Sequence, residues 1–138
     1  MTTNSGIEFV RPAQLSSQVP YAYAAAAAPG RVIFTAGACP LDADGNTVAV
    51  GDIAGQASQV MANLVAVLRE SGADLTDVVK TTVYVATTQQ ADLVTAWNVV
   101  RAAFGEHDAP STLLGVTVLG YRDQLVEVEA VAVGPATL

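Results

Sequence analysis

The chain has 138 residues, 51% of them hydrophobic and only 14% charged, with 6 basic against 13 acidic side chains and a formal net charge of −7. Sequence-independent nucleic-acid binding needs Lys and Arg to neutralise phosphates, and anionic membrane surfaces make the same demand, so an acidic chain without a basic cluster argues against both. One cysteine, Cys39, excludes an intramolecular disulfide and a multi-cysteine zinc site, and one histidine, His107, leaves no clustered imidazole ligands.

The length suits one domain over residues 1–138, large enough for a core of its own. No run approaches the ~20 apolar residues of a membrane span. The opening MTTNSGIEFVRP lacks the charged-then-apolar layout of a signal peptide, so a reducing, cytoplasmic setting is expected.

The first ambiguous segment is YAYAAAAAPG (21–30). Alanine is the best helix former, yet this run is short, has no polar face and stops at Pro29-Gly30 before a β-rich stretch. It reads as a strand paired with 31–38. RVIFTAGACP (31–40) is a strand ended by Pro40, DADGN (42–46) is a turn, and TVAV (47–50) reads as a short return strand. Asp52 then caps a helix whose apolar residues fall at Ile53, Ala57, Val60, Met61, Leu64, Val67 and Leu68, with Gly72 as its stop. DVVKTTVYVAT (77–87) is a strand. A second helix carries Leu93, Ala96, Trp97, Val100 and Phe104 on one side and closes at Gly105. STLLGVTVLG (111–120) and QLVEVEAVAV (124–133) are two further strands joined by GYRD.

The order β-β-β-α-β-α-β-β predicts an α+β fold, a mostly antiparallel sheet with two helices on one face. Its other face carries Leu113, Leu119, Leu125, Val131 and Val133, too much apolar surface to leave in water, and is therefore expected to be an oligomer interface. Within LVEVEAVAV (125–133), Val126, Val128, Ala130 and Ala132 point one way while Glu127 and Glu129 point the other. A carboxylate among apolar side chains is costly unless it is paired, hydrogen-bonded or wet. Clefts between subunits would satisfy that condition.

The segments VPYAYA (19–24), FTAGACP (34–40), VVKTTVYV (78–85), AAFGEHDAPSTLLGV (102–116) and LVEVEAVAV resemble, in this order, the Rid family, also called the YjgF or endoribonuclease L-PSP family. The resemblance runs from about Ile7 to Val133. It implies a chorismate-mutase-like fold and a homotrimer, with three sheets around a central β-barrel and three clefts between subunits. It also implies cofactor-free, metal-free hydrolysis of enamines and imines to a 2-oxo acid and ammonia, a small metabolite being the partner. The family's glutamate, which positions water or passes protons, falls on Glu127. Tyr21 matches a tyrosine after proline, Gly37 matches the glycine of an SGQ turn whose glutamine is Ala38, and Cys39 follows beside the cleft.

The family arginine that grips the substrate carboxylate falls on Ser111, or on Thr112 if the loop is aligned without a gap, which places the chain in an arginine-less branch. Serine offers one neutral hydrogen bond in place of a bidentate charged pair, a loss of ~2–5 kcal/mol in a desolvated cleft. Two readings follow. The protein is an enamine or imine hydrolase with Glu127 placing water, or it binds a small metabolite in the same clefts without turnover. With Glu127 kept and no fixed counter-ion, the cleft is expected to disfavour anionic ligands.

The remaining candidates read as structural. Trp97, which stands at a family asparagine, and Tyr84 read as core, Glu129 as structural, and Arg122 as an exposed turn residue. Ser111 is a poor nucleophile, because the sole histidine lies on the same loop. Ribonuclease activity is the weakest option for an acidic chain.

Overall fold

The computed structural model describes residues 6–135. The expected domain span and the reading of the first residues extend into 1–5 and 136–138, which lie outside the described residues. The elements are β1 (Ile7–Val10), β2 (Ala24–Ala27), β3 (Arg31–Phe34), α1 (Ile53–Glu70), a 3-10 turn (Leu75–Asp77), β4 (Val78–Ala86), α2 (Gln90–Phe104), β5 (Ser111–Val116) and β6 (Val126–Gly134).

Four strands form a mixed sheet in the order β3-β6-β4-β5, and β1 and β2 form a separate two-stranded ribbon. β6 runs antiparallel to both β3 and β4, whereas β5 is parallel to β4. The architecture is α+β, as the sequence indicates. Both helices cover one face: Ala57, Val60, Met61, Leu64 and Leu68 of α1 and Ala96 and Val100 of α2 join Val83, Val85, Val126, Val128, Ala130 and Ala132 in one buried cluster. α1 starts where Asp52 accepts a hydrogen bond from the Gly55 amide at 3.0 Å, and Gly72 leaves it with a φ of 87°. Val67, placed in the apolar stripe by periodicity, is exposed instead.

Three local expectations are corrected. Residues 24–27 pair with β1, not with 31–38, in a register that sets Ala27 opposite Ile7 and Ala25 opposite Phe9. An alanine run has no side chains that select a partner, and small residues pack readily across from large ones. Residues 47–50 form no strand: a single bridge links Leu41 to Thr47, and Ala49 and Gly51 take φ values of 50° and 79° that end any extended run. β5 stops at Val116, opposite Ala86, where β4 itself ends.

The face away from the helices carries Val32 and Phe34, 53% and 76% exposed, beside the half-buried Val131 and Val133. Leu113 is not on it. Its register partner is the buried Val83, so Leu113 faces the helices, while Leu119 lies in the loop after β5. Among the described residues no helix is long and apolar enough to cross a membrane.

Candidate functional site

Glu127 sits on the free face of β6, and the chain after β3 is shaped to meet it. Thr35 donates its amide to the Ala130 carbonyl at 3.0 Å, and Ala38 and Val128 exchange amide–carbonyl bonds of 2.7 and 3.1 Å. Two residues, Ala36 and Gly37, therefore oppose the single residue Glu129, which makes a bulge. The bulge presses the Gly37 backbone onto the Glu127 side chain so closely that a Cβ there would collide with Oε2. Glycine is the residue this approach requires.

Glu127 Oε1 accepts hydrogen bonds from Gln124 Nε2 at 2.9 Å and from the Cys39 thiol at 3.4 Å. Among the described residues no donor reaches Oε2. Gln124 is buried and doubly anchored, since its Nε2 also donates to the Val126 carbonyl at 3.1 Å and its Oε1 accepts from the Tyr121 amide at 3.0 Å. Behind it, the buried Gln56 of α1 accepts from the Leu125 amide at 2.7 Å and donates to the Asp123 carbonyl at 2.9 Å. The helix thus fixes the turn that fixes Gln124, and Gln124 fixes the carboxylate. Asn63 of α1 does the same for the other flank, donating to the Cys39 and Leu41 carbonyls at 2.8 and 3.0 Å.

Cys39 occupies an electronegative setting. Burial, followed by the Glu127 carboxylate, pushes its thiol up to about 11, so at neutral pH it is a protonated donor, not a nucleophile. A cleft of about 700 Å³ opens beside this group and is lined by Gly37, Ala38 and Cys39 from the bulged segment and by Gln59 and Asn63 from α1.

The other expected site residues gather elsewhere. Tyr21, Ser111 and Thr112 line a cleft of about 490 Å³ together with Pro20, Trp97 and Leu113. Tyr21 is held there because the next residue, Ala22, donates its amide to the Asp108 carbonyl at 2.9 Å, just ahead of β5. Trp97 packs against the core and also walls this cleft, which corrects its assignment to core alone. Its place on the apolar stripe of α2 gave the helix face, but the fact that α2 borders β5 depends on topology.

Ser111 and Thr112 point to opposite sides of the sheet. Ser111 pairs with Thr81 on the helix side and accepts a hydrogen bond from its hydroxyl at 2.7 Å. Thr112 lies on the free face and accepts from Lys80 Nζ at 2.8 Å. His107 gives Ser111 no base: its Nε2 meets the Val78 carbonyl at 2.7 Å and its ring stacks on Phe104. Arg122 is an exposed turn residue whose carbonyl accepts from Thr47.

Tyr84 is a correction too. It lies half-buried on the free face, not in the core, and its hydroxyl donates to Glu129 Oε1 at 2.6 Å. That bond to a carboxylate, with burial, holds the phenol above its ordinary range. Glu129 is thus anchored through Oε1 by Tyr84, as Glu127 is anchored through its own Oε1 by Gln124 and Cys39.

Two half-sites result. Glu127, Gly37, Ala38 and Cys39 form one, and Tyr21, Trp97, Ser111 and Thr112 the other. β4 separates β6 from β5, so two strand spacings, roughly 10 Å, lie between them across the sheet. Among the described residues no group of three or more His, Cys, Asp or Glu side chains could hold a metal ion.

The family model described as Endoribonuclease L-PSP matches residues 13–134. A RutC family protein of Pyrococcus abyssi is 37% identical over 110 residues, covering 80% of this chain and 84% of that protein. A 2-iminobutanoate/2-iminopropanoate deaminase of Salmonella typhimurium is 33% identical over 106 residues, covering 75% of this chain and 80% of the enzyme. Among solved structures, a Rid-family protein of unknown function from Yersinia pestis superposes with a TM-score of 0.87 at 31% identity, over 93% of this chain and 98% of that one.

Proposed function

The chain belongs to the endoribonuclease L-PSP family, known also as Rid, and on that premise we propose that it is a cofactor-independent hydrolase of small enamines and imines. In this reading it acts in the cytoplasm as a homotrimer whose clefts join the two half-sites across subunit boundaries. The observation that carries the reading is the Glu127 carboxylate, anchored through Oε1 by Gln124 and Cys39 while Oε2, set against Gly37, accepts from no donor among the described residues.

The arrangement suits imine hydrolysis. Water held by Oε2 adds to the carbon of the protonated imine of a 2-imino acid as Glu127 takes up one of the water's protons. The carbinolamine that forms has a hydroxyl and an amine on one carbon. Glu127 returns its proton to nitrogen and takes the hydroxyl proton as the C–N bond breaks, so that ammonia leaves and a 2-oxo acid remains; that proton ends on ammonia as ammonium, and one water is consumed per turnover. Gln124 and the thiol hold the carboxylate in place through these proton transfers, which is positioning of the kind that lowers barriers. The half-site of Tyr21, Trp97 and Leu113 supplies apolar walls for the substrate's side chain. The exposed Phe34 and Val32 supply an apolar surface for subunit contact.

A second reading, metabolite binding without turnover, is favoured by one observation. Neither residue that can stand at the family's arginine position carries a charge: Ser111 accepts a bond from the Thr81 hydroxyl and Thr112 one from Lys80. The test is the loss of 2-iminopropanoate, generated in situ by an amino-acid oxidase, with wild-type protein and with Glu127→Gln. The proposal expects acceleration by wild type and background rates for the variant, with light scattering giving a trimer for both. Wild-type rates equal to the buffer control would overturn hydrolysis and leave binding.

A further inference from the structure

We propose that Lys80, bonded to Thr112 at the rim of this cleft, is a carboxylate-binding cation that stands in for the arginine the chain lacks. The inference rests on the reading of the cleft as the substrate site and adds to it the charge that selects the substrate. Lys80 lies within β4, next to Thr81, and its side chain shares the free face with Thr82 and Tyr84. Its Nζ donates to Thr112 Oγ1 at 2.8 Å, one residue beyond Ser111. Thr112 itself lines the 490 Å³ cleft with Tyr21 and Trp97.

The ammonium is free to take a ligand. Among the described residues the ion pairs are Arg11–Asp108 and Arg69–Asp74, and Lys80 takes part in neither. An ammonium has three donors, of which the bond to Thr112 uses one. Because Thr112 accepts from Lys80, its hydroxyl hydrogen is left to donate. A carboxylate set against this pair receives a charged N–H from Lys80 and a neutral O–H from Thr112, a two-point grip that differs from the planar fork of arginine. The carboxylates on this face are Glu129, held at Oε1 by Tyr84, and Glu127, held at Oε1 by Gln124 and Cys39, and among the described residues neither forms an ion pair with Lys80. On this proposal a lysine of β4 supplies the positive charge that neither Ser111 nor Thr112, at the start of β5, carries.

The experiment compares 2-oxobutanoate with its neutral analogue 2-oxobutanamide as ligands for wild type, Lys80→Gln, Lys80→Arg and Thr112→Val, each checked by thermal denaturation. Wild type should bind the acid at least about tenfold more tightly than the amide, as a charge-assisted pair requires. Lys80→Gln should abolish that preference, and with 2-iminopropanoate should raise KM far more than it lowers kcat. Lys80→Arg should restore the preference. Thr112→Val should weaken the acid severalfold and spare the amide, which keeps the idea testable if Lys80→Gln does not fold. An acid preference that survives Lys80→Gln or is untouched by Thr112→Val overturns the proposal, as does wild-type hydrolysis with no preference for the acid. Wild type that neither binds nor hydrolyses either kind of compound overturns the substrate-site reading as well.

Discussion

Gly37→Ala probes how far catalysis depends on where the Glu127 carboxylate sits. The new methyl group would lie 2.5 Å from Glu127 Cδ and 2.7 Å from Cγ, against an ordinary contact of 3.4 Å or more. All three nearest atoms belong to Glu127, so the side chain must move by ~1 Å, and it cannot do so while keeping Gln124 at 2.9 Å and Cys39 at 3.4 Å. Overpacking of a core costs ~1–3 kcal/mol, and the low end applies because the colliding group is the flexible end of a half-buried side chain. That corresponds to a fall in Tm of roughly 3–5 °C for a domain of this size. The kinetic cost is larger, since misplacing a reacting group by 1 Å costs ~100-fold. The assay is imine loss coupled to ammonia release, run beside a melting curve and a crystal structure of the variant. A rate within about threefold of wild type, with the carboxylate visibly displaced, would refute the claim that its position governs the reaction.

Three further outcomes are expected. Gln124→Leu removes a buried amide, strands the Tyr121 amide and leaves Glu127 with the Cys39 thiol alone, costing ~1–3 kcal/mol by denaturant titration and lowering the hydrolysis rate together with stability. Cys39 should resist iodoacetamide at neutral pH and react only as pH climbs toward about 11, and Glu127→Gln, by removing the neighbouring charge, should move its reactivity to lower pH. Because the folded thiol pKa is raised from 9.0, the folded state keeps a proton that the unfolded chain has lost, so Cys39's contribution to stability is complete below pH 9 and falls as pH rises through about 11; Cys39→Ala should flatten that part of the stability curve.

Features set by local chemistry were legible in the sequence. The Asp52 cap, the α1 stripe and the strict alternation of β6 each depend on neighbours a few residues away, and each is found in the structure. Glu127, Gly37 and Cys39 are brought together as the family resemblance implies, and Tyr21 joins Ser111 and Thr112 in a second group. What stayed hidden depends on pairing. An alanine run carries no alternation, so the partnership of β2 with β1 has no local signal. Whether Ser111 or Thr112 lies on the free face of the sheet is decided by the parallel register of β5 on β4, which links residues 30 apart. Lys80 and Gln124 read in sequence only as members of the strands at 77–87 and 124–133. Their hydrogen bonds to Thr112 and to Glu127 are visible only in the structure.

The central claim is that neither half-site is complete until a neighbouring subunit brings the other. Mixing two inactive variants tests it most directly, one lacking the carboxylate (Glu127→Gln) and one in which the opposite half-site is blocked by Tyr21→Arg, denatured together and refolded at equal concentration. In a cyclic assembly whose sites are shared between neighbours, random reassortment leaves about a quarter of the sites with both halves intact, so the mixture should regain about a quarter of wild-type imine hydrolysis. Activity that stays at the level of the separate variants, although mixed trimers have formed, would contradict the account.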